Sequence, residues 1–173
     1  RFFVLGGHNS KEALSDVHVF DMETLSWHRP QIHGEPPVCG HRHATVLLAD
    51  QSAPENVALL VFAADMHETF DKLYALRLGD AKAGQVDGAM GWLELSTSGK
   101  APLARARPCV VALRHEVFVL GGVAAGKPLN SVAMLDTHTM RWSMPAIEGT
   151  PPPPRMGATA PHVGPDLYPF GGS

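Results

Sequence analysis

Hydrophobic positions along this chain come in short bursts of four to seven residues, separated by clusters of Gly, Pro, Asp and Asn. No stretch keeps a 3.6-residue period between helix caps, so the bursts predict strands and an all-β fold. Three kinds of burst recur. One is an apolar strand running into Gly-Gly: Phe2 to Gly7, Val117 to Gly122 and Leu167 to Gly172. A fourth copy, Ala58 to Ala64, carries alanines in place of the glycines. The second ends in Asp or its equivalent: Val17 to Asp21, Leu73 to Arg77 and Val132 to Asp136. The third opens on a tryptophan: Trp27, Trp92 and Trp142. After each tryptophan strand a Pro-rich connection leads to one more apolar strand: His43 to Leu48, Cys109 to Leu113 and Gly157 to Val163.

The spacing is regular. Gly7 to Trp27 and Gly122 to Trp142 are both 20 residues, and Trp92 to Gly121 and Trp142 to Gly171 are both 29. The middle copy is stretched by a Gly/Ala-rich insertion, Gly79 to Gly91. A period of about 50 residues with four short strands is the signature of a propeller blade. Glycine pairs at strand ends permit positive φ and close backbone approach. Gly6, Gly7, Gly121, Gly122, Gly171 and Gly172 are therefore structural anchors. So are Trp27, Trp92 and Trp142, each expected to bury about 150–250 Å² between adjacent sheets.

The pattern resembles the Kelch repeat family. The Gly-Gly pairs, the tryptophans and the run Pro154-Arg155-Met156-Gly157-Ala158-Thr159-Ala160 carry the resemblance, which covers nearly the whole chain. It implies four-stranded antiparallel blades with strands A, innermost, to D, outermost, and Gly-Gly closing strand B. On that scheme residues 1–42 supply B-C-D of one blade, 43–108 a divergent blade, 109–156 a full blade, and 157–173 the A and B strands of another. The expectation is an incomplete propeller, with further blades of the same chain or a second copy closing the ring. Raw sheet edges otherwise invite strand pairing.

Composition adjusts this picture modestly. The chain has 173 residues, 45% of them hydrophobic and 18% charged, with 17 Gly and 15 Pro. That suits one domain rich in turns. A formal charge of −3 gives no footprint for nucleic acid, and no apolar run is long enough to span a membrane. Two cysteines, Cys39 and Cys109, make no disulfide framework and point to a reducing, cytoplasmic setting. Cys109, opening an inner strand, reads as a buried small apolar residue.

No catalytic fingerprint is present. His41-x-His43 and the His67-Glu68-Asp71 cluster lack the further ligands that a metal site needs, so no metal and no cofactor is expected. Loops on a rigid scaffold are where function concentrates. The Kelch resemblance implies binding at the end that gathers the B–C and D–A loops. Those loops hold Arg107, Arg105, Arg155, Arg42, His8, Asn9, His67, Lys127 and Asn130. Guanidinium groups near a channel mouth suit carboxylates, so an acidic peptide loop is the expected ligand class. For Arg105 and Arg155 the competing reading is hydrogen bonding to backbone carbonyls of a neighbouring blade. Arg107 stands where the family often has glycine. The reading is a non-catalytic protein-interaction scaffold. The alternative is an enzyme: a mutarotase- or oxidase-like sugar-processing propeller, or a propeller appended to a catalytic domain outside this chain.

Overall fold

The computed structural model describes residues 1–37, 43–49, 57–63, 72–78, 90–164 and 166–173. All regular structure among these residues is strand. The first sheet is antiparallel, from β1 (Phe2–His8), β2 (Ala13–Asp21) and β3 (Ser26–His28), in that order. The second takes β4 (Ala44–Ala49), β5 (Val57–Ala63), β6 (Lys72–Arg77) and β7 (Gly91–Leu95). The third is built on β9 (Cys109–Leu113), β10 (Glu116–Leu120), β13 (Val132–Asp136) and β14 (Arg141–Ser143). A fifth member, β8 (Ser98–Gly99), pairs parallel to β14 on its outer side. Two small hairpins complete the set: β11 (Val123–Ala124) with β12 (Lys127–Pro128), and β15 (His162–Val163) with β16 (Asp166–Leu167). The meandering four-stranded sheets are blades of a β-propeller.

Alternation places the core. In β2, Val17 and Val19 are buried while His18 and Phe20 face the other way. One cluster joins the first two sheets: Val17 against Val61, Leu76, Met90 and Trp92. A second joins the next two: Leu60, Phe62, Leu73 and Ala75 against Val117, Val119, Ala133, Leu135 and Trp142. Each blade therefore shows one face to each neighbour, and the core lies between sheets. Trp92 and Trp142 point toward the blade before their own. The Trp142 ring meets Phe62 edge-on at 6.3 Å, and its indole N–H donates to Thr97 Oγ1 at 3.2 Å. Trp27 departs from the expectation. It is 57% exposed and touches Phe20 at 5.0 Å, because no described sheet lies on its side of β2 and β3.

The recurring Asp that ends strand C has a local cause. Asp21 Oδ1 accepts the N–H groups of Glu23 and Thr24 at 2.9 and 3.0 Å. Asp136 Oδ1 accepts those of His138 and Thr139, both at 2.9 Å. Such side-chain turns reverse the chain into the outermost strand. Four residues after each Asp stands a left-handed residue, Leu25 (φ 54°) and Met140 (φ 50°). The Gly-Gly anchors are also left-handed. The pairs are Gly6 and Gly7 at 58° and 105°, Gly121 and Gly122 at 60° and 93°, and Gly171 and Gly172 at 72° and 87°.

Two further features differ from the sequence expectation. The strand expected over Gly157 to Val163 is reduced to β15 and a single bridge, Thr159 to Phe170. In addition, blades gain an outer parallel strand that the four-strand pattern does not contain. Its residues lie in the connection from the preceding blade: Ser98 and Gly99 beside Arg141 and Trp142, and His33 beside Gly91.

Candidate functional site

At the loop end, connections between blades clamp the β11–β12 hairpin and the residues around it. Ala106 and Val123 exchange backbone hydrogen bonds, both 2.8 Å. On the other side Gly122 N–H donates to Arg155 O at 2.9 Å, and Arg155 N–H donates to Leu129 O at 2.9 Å. Close packing explains the glycines here. A Cβ on Gly121 would sit 2.5 Å from Arg155 O, and one on Gly122 would sit 2.9 Å from Ala106 O.

Arg105 and Arg155 repeat one geometry. Arg105 Nε donates to Leu103 O (2.9 Å), and its terminal nitrogen Nη1 to Gly121 O (2.9 Å) and Ser131 Oγ (3.1 Å). Arg155 Nε donates to Pro153 O (3.2 Å) and Nη1 to Gly171 O (3.1 Å). Both therefore hold the first glycine of the Gly-Gly pair 16 residues on. Arg105 is 1% exposed, and burial pulls its guanidinium below the ordinary arginine value. It is withdrawn from the partner-binding set: at 1% exposure it is closed to a partner, and its Nε and Nη1 donors hold the fold. Arg155 is half-buried, and part of its donor capacity goes the same way.

Arg107 is different. It is exposed, and its backbone is left-handed at φ 51°. Its carbonyl accepts the Gly157 N–H at 2.9 Å, which ties the entries of two successive inner strands together. Gly157 occupies the corresponding place in the next repeat, two residues after Arg155, and is left-handed too, at φ 69°. An arginine thus holds a conformation that the neighbouring copy gives to glycine. A left-handed non-glycine residue costs about 1–2 kcal/mol.

Lys127 lies exposed on β12, beside the Ala125–Gly126 tip. Asn130 is exposed and donates from Nδ2 to Pro152 O at 3.4 Å. Asn9 and His8 shape the first B–C loop. Asn9 Oδ1 accepts the N–H groups of Lys11 (3.1 Å) and Glu12 (3.0 Å), and His8 Nδ1 accepts that of Ser10 (3.0 Å). Both remain exposed. Arg42 and His67 lie outside the described residues, as do Cys39, His41, Glu68 and the insertion as far as residue 89. Cys109 is buried, and burial raises its thiol pKa, so it is a poor nucleophile. Among the described residues no three His, Cys, Asp or Glu side chains converge as metal ligands. No helix among them is long and apolar enough to cross a membrane.

Sequence reading missed a pair at the opposite end. His115, in the β9–β10 turn, stacks on His138, in the β13–β14 turn, at 4.9 Å. They are far apart in sequence, and only strand register brings them together. A cleft of about 340 Å³ lies elsewhere, between the connection at His33-Gly34 and Arg77, Met90 and Trp92.

Comparison with known proteins matches this architecture. The chain is 29% identical over 177 residues to the Rab9 effector protein with kelch motifs of Mus musculus, covering 99% of this chain and 43% of that protein. It is 29% identical over 187 residues to Kelch domain-containing protein 3 of Rattus norvegicus, covering 99% and 45%. Acyl-CoA-binding domain-containing protein 4 of Arabidopsis thaliana is 27% identical over 170 residues, with 97% of this chain and 23% of that protein covered. The chain thus spans less than half the length of these relatives. The model of the KLHDC2/KLHL20/DRC7 Kelch-repeats domain matches residues 1–173, and the chain belongs to that family of Kelch-repeat β-propellers.

Proposed function

We propose that this chain is a non-catalytic protein-interaction module that grips an acidic peptide loop at the end formed by its B–C and D–A loops. The observation that carries the reading is Arg107. Its side chain is exposed, its conformation is strained, and the corresponding residue of the next repeat is glycine. Strain of this kind collects at ligand-binding positions, where function rather than stability selects the residue. Nearby, Lys127 adds a second cation, and Asn130 and the half-buried Arg155 add hydrogen-bond donors. A guanidinium takes a carboxylate bidentately, and such charge-assisted bonds contribute about 1.5–3 kcal/mol. The kinship with a protein named as a Rab9 effector supports an interaction role.

The probe is a fluorescein-labelled peptide rich in glutamate, with a glutamine-for-glutamate peptide of the same length as control. Anisotropy should report binding of the acidic peptide alone, weakening as salt rises, because partly exposed charges are screened. Equal binding of both peptides, or of neither, would reject an acidic ligand.

A further inference from the structure

One stretch at the loop end shows only two side chains to solvent. Between Pro102 and Pro108, both buried, Arg105 and Ala106 are buried as well and Ala104 is half-buried. Leu103 and Arg107 alone are exposed. Leu103 is 70% exposed, although the second and third sheets stand on either side of its connection. A single leucine in solvent is ordinary on a protein surface. This one is set apart by how it is held.

The backbone around Leu103 is pinned. Its carbonyl accepts the Arg105 Nε–H at 2.9 Å, and the same guanidinium is fixed in turn on Gly121 O and Ser131 Oγ. Ala106 exchanges two backbone hydrogen bonds with Val123, and the Arg107 carbonyl accepts the Gly157 N–H. The leucine carbonyl is thus bonded inward while its side chain stays outside. Arg155 repeats the arrangement, holding the Pro153 carbonyl at 3.2 Å while Pro153 itself is exposed. In both repeats an apolar residue stands two positions before the clamping arginine. Only the first repeat adds a cation two positions after it, Arg107, where the second has Gly157.

A pinned backbone matters for binding. An apolar group already fixed in place gives up only side-chain freedom when a partner covers it, so more of the burial gain reaches the affinity. Four residues of chain span at most about 14 Å. Leu103 and Arg107 therefore lie within reach of one short extended segment. Side chains of such a segment alternate in direction, so two that face the same surface stand two or four residues apart, roughly 7 or 13 Å.

We infer that Leu103 is the apolar anchor of the acid-binding end, and that the partner segment carries a large apolar residue two or four positions from a carboxylate. The carboxylate meets Arg107 and the apolar side chain covers Leu103. This pair of contacts rests on the acidic-peptide reading and narrows the ligand from a charge alone to a charge with an apolar neighbour.

The test uses the whole chain and three fluorescein-labelled peptides of one length, read by anisotropy. The first carries a central phenylalanine with glutamates two and four positions away. The second has serine for the phenylalanine, and the third has glutamine for every glutamate. The phenylalanine peptide should bind about tenfold tighter than the serine peptide. Salt should weaken both and leave their ratio, because screening acts on charges and not on apolar burial. Leu103→Ser should bring the ratio close to one. Leu25→Ser, at a 74% exposed leucine in the β2–β3 turn of the opposite end, should leave it near tenfold. Arg107→Gly should weaken both peptides and keep their ratio. Equal affinity for the phenylalanine and serine peptides, or a ratio that survives Leu103→Ser, overturns the anchor while the acidic reading stands. Equal binding of the first and third peptides, lost in Leu103→Ser, overturns the acidic partner and leaves only an apolar contact. Binding of none of the three overturns both.

Discussion

Replacing Gly121 with alanine probes how closely the inter-blade connection presses on the B–C loop. Two costs add. Alanine at φ 60° adopts a left-handed conformation, at about 1–2 kcal/mol. Its Cβ would also stand 2.5 Å from the Arg155 carbonyl oxygen, a backbone atom that cannot rotate away. Relief requires moving the connection that hydrogen-bonds Gly122 and Leu129, an overpacking cost of about 1–3 kcal/mol. The sum is about 2–5 kcal/mol, a large share of the roughly 5–15 kcal/mol of a typical domain. Gly171 supplies the control. It holds φ 72° at the same place in its repeat, yet a Cβ there would meet nothing within 4 Å. Gly171→Ala should therefore cost only the conformational part, about 1–2 kcal/mol. Urea denaturation of both variants at constant m-value measures the difference. Equal losses, or a Gly121→Ala cost near 1 kcal/mol, would refute the close-approach reasoning.

The other expectations follow from burial and partners. Trp142→Ala should cost about 3–5 kcal/mol, since the ring is buried between two blades. Trp27→Ala, at a 57% exposed position, should stay within about 1 kcal/mol in the same denaturation assay. Arg105→Ala should cost about 2–4 kcal/mol by stranding Gly121 O and Ser131 Oγ, and Arg105→Lys should recover little, because an ammonium cannot reproduce the fork. Backbone N–H groups, that of Thr139 foremost, hold the Asp136 carboxyl below the ordinary aspartate value of about 3.9. A depressed folded pKa gives stability that is present above the unfolded value and lost as pH falls through the folded one. Stability should therefore decline below about pH 4 in the wild type, and Asp136→Asn, which keeps the acceptor, should flatten that decline in a pH series of melting temperatures.

The blade architecture was legible because its causes are local and repeated. Gly-Gly marks left-handed backbone, Asp136 and Asp21 mark side-chain turns, and Trp92 and Trp142 mark large buried rings. What escaped reading depends on partners that no periodicity encodes. The parallel pairing of Ser98-Gly99 with β14 involves two residues from a Pro-rich connection, with no alternation to reveal it. Trp27 carries the same sequence signal as Trp142, yet its burial depends on a neighbour on its far side. Arg105 and Arg107 are two residues apart and chemically alike. One turns inward onto carbonyls and the other stays outside, a difference set by the left-handed turn at Arg107. The glycine at the matching place in the next repeat, Gly157, was the signal for it.

Arg107→Gly gives the most direct test of the central claim, with stability and acidic-peptide affinity measured on one preparation. A binding arginine retained against conformational preference predicts opposite changes. Relief of the left-handed strain should stabilise the variant by about 1 kcal/mol, less what the freer unfolded glycine gives back. Affinity for the glutamate-rich peptide should fall about tenfold or more, the loss of one charge-assisted contact. Unchanged affinity would contradict the account, whatever happens to stability.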